Sequence, residues 1–387
     1  MEAQCLTGET TMSEQQIAIP CVYMRGGTSK AVYLMGSDLP PPGEKRNKVL
    51  MRIMGSPDLT EIDGMGGAQI VTSKLAVIDP PSRSDADVDY TFGQAEIDHP
   101  HIDYDANCGN ISSAVGPFAI DSGLIKAQEP ITRVRIHNTN TGKIFIADVP
   151  VVNGEVAVQG DYSIAGVPGA GARIDLDYSG TAGAVTGKCL PTGNVTDTVT
   201  LESGKTVEVT VFDAGNLGIF AKASDLGVTC HETKQELDEN QAVLDKVREI
   251  RGKAAQMIGM CERWQELDTV SPLLPLVILA KEPESKDEDL RVRMFLLNKC
   301  HPALAGTGSV CTSSSGAVSG TIVNQLATIA STEEYTLRIM HPQGIMPLHV
   351  ASRSVSGQLW PEFLKIQYGR TARKIMSGQV YIPNIEY

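Results

Sequence analysis

The stretch "HIDYDANCGNISSAVGPFAI" (residues 101–120) decides how this chain is read. One cysteine, Cys108, stands between Asp105-Ala106-Asn107 and Gly109-Asn110, ahead of a run of Ile, Ser, Ala, Val and Gly. The Asn-Gly breakers end an extended segment, and the small residues after them predict a helix over about 111–122. Small side chains let a curved sheet come close to the helix backbone. A second stretch of the same kind, "AGTGSVCTSSSGAVSGTIVNQLA" (305–327), opens on glycines and runs on in small residues.

Working outward, strand patterns surround each of these helices. "IAIPCVYMRGGTSKAVYL" (17–34) reads as strand, glycine turn, strand, and "KRNKVLMRIMG" (45–55) as a helix stopped by glycine. "IVTSKLAVI" (70–78), "DVDYTFGQAEI" (87–97), "TRVRIHN", "KIFIADVPV" and "EVAVQGDYSI" (155–164) alternate as strands do. In the second half, "TVEVTVFDAGN", "LGIFAKASDL", "LPLVILAK", "RVRMFLL", "YTLRIMHP" and "HVASRSV" are strand-like. Residues 234–260 carry the longest helical pattern, and "RTARKIM" reads as a short helix before a last strand, "GQVYIPN". The breaker-rich "VTGKCLPTGN" (185–194) sets the expected boundary. The organisation expected is a disordered leader (1–16), a first domain (17–190) completed by a C-terminal strand (375–387), and a second domain (191–374). Each half is a meander of strands around one small-residue helix, an α+β plan that looks like a weak internal duplication.

The chain has 387 residues, 42% of them hydrophobic, so real cores are expected. A net charge of −13 without a Lys/Arg run argues against nucleic acid or an anionic membrane as partner. No segment approaches the roughly 20 apolar residues of a membrane-spanning helix. The first residues lack the basic and apolar regions of a secretion signal. The eight cysteines are scattered without paired spacing, which fits reduced thiols in the cytoplasm and offers no zinc site. No metal site is expected elsewhere either. A homo-oligomer is compatible with the sequence.

Two chemical readings of Cys108 stand side by side: a thiol beside the amides of a helix start, where its proton is easily lost, or an inert packing residue. Cys311, one turn into the second small-residue helix, has the same alternatives. If both helices aim their N-termini into one interdomain cleft, a small polycarboxylate is held from two sides. "MRGGTSK" (24–30) is not a phosphate-binding Walker loop, because the GxxxxGK[ST] spacing is absent. "DGMGGAQIVTSK" (63–74) ends in Thr72, Ser73 and Lys74, and Lys74 is either a surface charge or an anchor or acid/base group. Arg370 and Arg373 have the same bland alternative, a solvated helix face. A Ser-His-Asp hydrolase lacks its GxSxG elbow.

Taken together, "MRGGTSKAVYL", "IDGMGGAQIVTSK", "DVDYTFGQ", "NCGNISSAVGPFAI", "LPTGN", "HPQG" and "RTARKIM" resemble the PrpF family. That family groups aconitate isomerase, 4-oxalomesaconate tautomerase and methylitaconate isomerase. The resemblance spans about residues 18–385. It implies two similar diaminopimelate-epimerase-like domains, each a barrel-like, mostly antiparallel sheet wrapped on a central helix, with the site between them. It also implies a cofactor-independent isomerase that moves a double bond along a small unsaturated di- or tricarboxylate. Lys74 of "TSK" and Cys108 of "NCGN" match the family's acid/base pair. Arg25, Ser29, Thr72, Ser73, Asn107, Gly109, Thr307 and Gly308 are the candidates for holding carboxylates. Cys311 departs from the family's pattern and is left as packing or a secondary candidate.

Overall fold

A computed structural model describes residues 15–105 and 107–384. The expected leader, 1–16, lies outside the described residues except at its end, where Gln16 already opens a strand. The chain divides into two units. One runs to Leu176 and resumes at Gly369, and the other is Asp177–Tyr368. The boundary therefore precedes the breaker-rich stretch at 185–194. The reason is local: Val185 and Thr186 donate backbone N–H groups to the buried Asp213 carboxylate, tying that loop to the second unit.

In the first unit β1 (Gln16–Gly26) and β2 (Ser29–Met35) form an antiparallel hairpin. β2 pairs parallel with β3 (Lys74–Asp79), which pairs antiparallel with β4 (Val88–Ala95). β4 pairs antiparallel with the short β5 (Ile102–Asp103) and parallel with β6 (Ile131–Asn138), and β6 runs antiparallel to β7 (Lys143–Val152). Of the strand expected over 155–164, only β8 (Glu155–Val156) forms, against the end of β7. β9 (Ile174–Asp177) follows. The segment 70–73 is a turn, so β3 begins at Lys74.

The second unit repeats this pairing. β10 (Asp197–Thr200) leads into the hairpin β11 (Thr206–Ala214) and β12 (Asn216–Lys222). β12 is parallel to β13 (Leu276–Lys281), which is antiparallel to β14 (Leu290–Leu296). β14 is antiparallel to β15 (Lys299–Cys300) and parallel to β16 (Glu334–His341), and β16 is antiparallel to β17 (Gly344–Arg353). The order antiparallel, parallel, antiparallel, antiparallel, parallel, antiparallel is the same in both units. A matching brace recurs too. Arg135 clamps Asp87 ahead of β4, and Arg338 clamps Asp289 ahead of β14. β18 (Glu362–Arg370) follows β17 antiparallel.

The helix expected at "RTARKIM" is a strand. β19 (Ala372–Pro383) runs antiparallel along all of β1, pairing Arg373 with Arg25 and Pro383 with Gln16. β1 would otherwise expose a row of unpaired backbone groups, and pairing with it outweighs the local helical spacing. Arg370 is buried, not part of a solvated helix face.

Helices fill the connections. α1 (Glu44–Met54) ends at Gly55 in the left-handed region and buries Val49, Leu50, Ile53 and Met54 against Val32, Leu34, Leu75 and Val77. Each such side chain contributes about 1.5–3 kcal/mol when fully buried. The helix expected over 111–122 is two short ones: α2 (Gly109–Ser112) and α3 (Val115–Asp121). α2 starts earlier than the spacing suggested, so Cys108 is its N-cap. In the second unit α4 (Ala223–Leu226), α5 (Lys234–Glu239), α6 (Gln241–Met257) and α7 (Leu267–Val270) cover one sheet face. α8 (Gly306–Gly316) is buried along its whole length and packs on β11, β12 and β17, with α9 (Ile322–Leu326) after it. The Gly-Ser-Thr composition of α8 is what lets three strands approach it. A Cβ added at Gly308 would lie 2.8 Å from the Met294 sulfur.

Candidate active site

The first unit gathers most of the expected site around the start of α2. Lys74 opens β3 with its side chain buried. Its Nζ donates to Gln94 Oε1 at 2.6 Å and is close enough to Cys108 for that residue to act on its titration. The Phe92 ring centroid lies 5.1 Å from the same nitrogen, a cation–π distance. Burial lowers the Lys74 pKa, and the neighbouring Cys108 opposes that shift. The two residues named from "TSK" and "NCGN" are therefore electrostatic neighbours, although 34 positions separate them in the chain (108 − 74).

Three devices hold Cys108 in place. Its carbonyl accepts from the N–H and the hydroxyl of Ser112, both at 2.9 Å, which closes the first turn of α2. Asn107 is buried, with Oδ1 3.3 Å from the Ser112 hydroxyl. Beyond it, the buried Tyr33 hydroxyl donates to the Ile111 carbonyl at 2.5 Å. Burial, and then the proximity of Cys108, pushes the Tyr33 pKa well up. The first-turn amides at Gly109 and Asn110 have no acceptor within so short a helix, and they stand next to the sulfur-bearing residue.

The glycines of "MRGGTSK" explain why that motif accompanies "NCGN". The β1–β2 turn presses onto α2: a Cβ on Gly26 would sit 2.4 Å from the Asn110 carbonyl oxygen, and one on Gly27 2.2 Å from Asn110 Oδ1. Gly27 also has φ +51°, a region costly for other residues. Asn110 Nδ2 donates to Thr28 Oγ1 at 3.0 Å, and Arg370 Nε donates to Asn110 Oδ1 at 3.2 Å.

The remaining sequence candidates fall as follows. Arg25 is half-buried and its Nη1 donates to the carbonyls of Gly27 (2.9 Å) and Thr371 (2.7 Å), bracing the turn. Burial and the cross-strand Arg373 lower its pKa. Ser29 is buried opposite Gly26. Thr72 donates to the Gln69 carbonyl at 3.2 Å. The Ser73 hydroxyl donates to Glu61 Oε2, which also accepts from Ala68 N–H at 2.7 Å. Ser73 is thus a loop anchor. Thr307 and Gly308 lie in the second unit, in the first turn of α8, where Thr307 Oγ1 accepts from Asn216 Nδ2 at 2.9 Å. Cys311 is fully buried, donates to the Phe212 carbonyl at 3.3 Å, and has its pKa raised well above the ordinary thiol value by burial. These are the properties of a packing residue.

Gln94 and Glu61 escaped the reading of the sequence. Gln94 stands in the quoted motif "DVDYTFGQ", but only strand pairing places it beside Lys74. A buried acid among the glycines of "EIDGMGG" was the available signal for Glu61. Cross-strand pairing also brings Glu96, His101 and Asp103 together, with donor atoms within 4.8 Å of one another. Among the described residues these, with Asp98 and His99 next to Glu96, are the groups that could hold a cation. No helix among the described residues is long and apolar enough to cross a membrane.

Known proteins resemble this chain over nearly its whole length. The family model described as "PrpF protein" matches residues 16–383. The 3-methylitaconate isomerase of Eubacterium barkeri is 45% identical over 379 residues, covering 95% of this chain and 98% of that protein. A crystal structure of methylitaconate-delta-isomerase superposes with a TM-score of 0.79 at 45% identity, covering 96% of each chain. A hydroxyproline epimerase from Agrobacterium vitis shares the fold alone, at a TM-score of 0.59 and 12% identity over 97% of this chain and 95% of that one. The chain belongs to the PrpF family and is an isomerase.

Proposed function

We propose that the protein shifts a double bond in a small unsaturated di- or tricarboxylate of the aconitate or methylitaconate type, by abstraction and return of a proton and without a cofactor. The observation that carries this reading is the buried Lys74 amine beside Cys108 at the start of α2. Removing an allylic proton next to a carboxylate produces a dienolate with additional negative charge. Fixed amides stabilise such charge better than water, and one well-placed donor contributes about 3–4 kcal/mol. The Gly109 and Asn110 amides would serve that role, with Asn107, Ser29 and Thr72 orienting the carboxylates. Cys108 acts as the base at one end of the allylic unit, and Lys74 returns a proton at the other. The closeness of the two groups lets the proton taken by Cys108 pass to Lys74, which resets the pair after each turnover.

The fold proposed for each unit is the diaminopimelate-epimerase-like one, a barrel-like sheet around its small-residue helix. The repeated order of pairing senses supports it. A 4-oxalomesaconate keto–enol tautomerase would use the same pair and is the second reading, favoured by the identical proton chemistry. A binding protein that only partners an aconitase-type enzyme would have no reason to bury a lysine against a thiol.

The test is proton NMR in deuterated water with cis-aconitate, trans-aconitate, 4-oxalomesaconate and methylitaconate, with no cofactor added. A shifted double bond or deuterium uptake in one substrate, lost in Cys108→Ser, supports the reading and identifies the substrate. No change in any sample refutes it for this panel and favours the binding protein.

A further inference from the structure

We propose that Gln94 is the positioning residue of the Lys74–Cys108 pair: its side-chain carbonyl holds the lysine amine beside the sulfur as a neutral acceptor. The inference rests on the acid/base reading given above. Three observations carry it. Lys74 and Gln94 are direct cross-strand partners, so their side chains rise from the same face of the sheet. The Gln94 amide has only one orientation available. Nε2 donates to the carbonyls of Ser73 (2.9 Å) and Ala95 (3.2 Å), which uses both of its N–H groups and turns Oε1 to Nζ at 2.6 Å. One of those two acceptors, the Ser73 carbonyl, belongs to the residue just before Lys74. The glutamine is thus fastened to the same backbone that carries the lysine.

The neutrality of the acceptor matters as much as its position. A carboxylate at this site would form a buried ion pair with Lys74 and hold it as ammonium. An amide carbonyl accepts from the ammonium and still allows the proton to leave. Burial already works in that direction by lowering the Lys74 pKa. The titratable groups around the amine are Cys108 from the cap of α2 and, behind Cys108, Tyr33 of β2. Asp103 of β5 is the next residue in register beyond Gln94. None of these replaces the Gln94 carbonyl as acceptor.

The two near-isosteric substitutions predict opposite signs. Gln94→Met removes the acceptor and should lower the Lys74 titration midpoint by about one pH unit; Gln94→Glu adds an anion and should raise it by about one to three. The midpoints are read by NMR of protein labelled at lysine Cε, with the Lys74 signal assigned by its loss in Lys74→Met. In both variants kcat should fall about tenfold or more with KM changed less than about threefold, on the substrate turned over in the panel. Midpoints that stay put, or that move the same way in both variants, overturn the inference. Should Gln94→Met not fold, the upward shift in Gln94→Glu carries the test alone. Lys74→Met with full activity would overturn the acid/base reading itself. An inactive Lys74→Met with unmoved midpoints in the Gln94 variants would overturn this inference only.

Discussion

Asp103→Asn should stabilise the protein at neutral pH. Asp103 is 1% exposed; its Oδ1 accepts from Asp105 N–H at 2.7 Å, while its buried Oδ2 has no hydrogen-bond partner among the described residues. Burial first pushes its pKa from 3.8 to about 6, against the opposing hydrogen bond from the Asp105 N–H. The sign is opposite to that of a salt-bridged carboxylate: the folded state prefers the protonated acid, so stability falls as pH rises through the window from about 4 to about 6. The gap, 6 minus 3.8, is about 2 pH units, and at about 1.36 kcal/mol per unit the full penalty is about 3 kcal/mol. It is only about 1 kcal/mol at pH 4.5, because that pH lies little above the unfolded-state pKa of 3.8. Asparagine copies the shape of the neutral acid and keeps the Oδ1 acceptor. Paired urea melts of wild type and Asp103→Asn at pH 4.5 and 7.5 measure the difference. The expected gain is about 2 kcal/mol larger at pH 7.5 than at pH 4.5. Equal gains at both pH values, or a loss at pH 7.5, would refute the reasoning, and a loss would mean that the carboxylate is ionised and paired in the folded protein.

Further outcomes follow from the site. Cys108→Ser should lower turnover by about 10²–10⁴-fold, the range for losing a positioned acid/base group, with the melting temperature nearly unchanged. Cys311→Ser should cost about 1 kcal/mol of stability and leave kcat within about twofold; a loss equal to that of Cys108→Ser would point instead to two-thiol racemase chemistry. Gly27→Ala should destabilise by about 1–3 kcal/mol and cut activity more than tenfold, because its Cβ meets Asn110 Oδ1 at 2.2 Å. Gly142→Ala is the control: φ is +66° but nothing lies within 4 Å, so circular-dichroism melts should show about 1 kcal/mol of loss with full activity.

Much of the local plan could be read from residue order. Alternation marked most of the strands, Gly55 ended α1 as its spacing suggested, and small-residue runs marked the two buried helical segments. Lys74 and Cys108, the residues proposed to carry the chemistry, were singled out by the resemblance to the PrpF family; their neighbours alone left each with an inert alternative. Other features needed the tertiary structure. Residues 372–376 have helical spacing, yet they form a strand, because β1 at the other end of the chain offers a full row of backbone partners. Ser73 looked like a carboxylate ligand until a buried Glu61 took its hydroxyl. Gln94 ends a quoted motif, but nothing local marked it as a partner of Lys74. Its role comes from the β3–β4 register, and a one-residue slip would turn it to the opposite face. Sequence by itself supplied the candidates for chemistry, since candidacy depends on side-chain type and on motifs shared with a family. Long-range pairing decided which of them meet and which acceptors they face, because register and burial exist only once distant segments are joined.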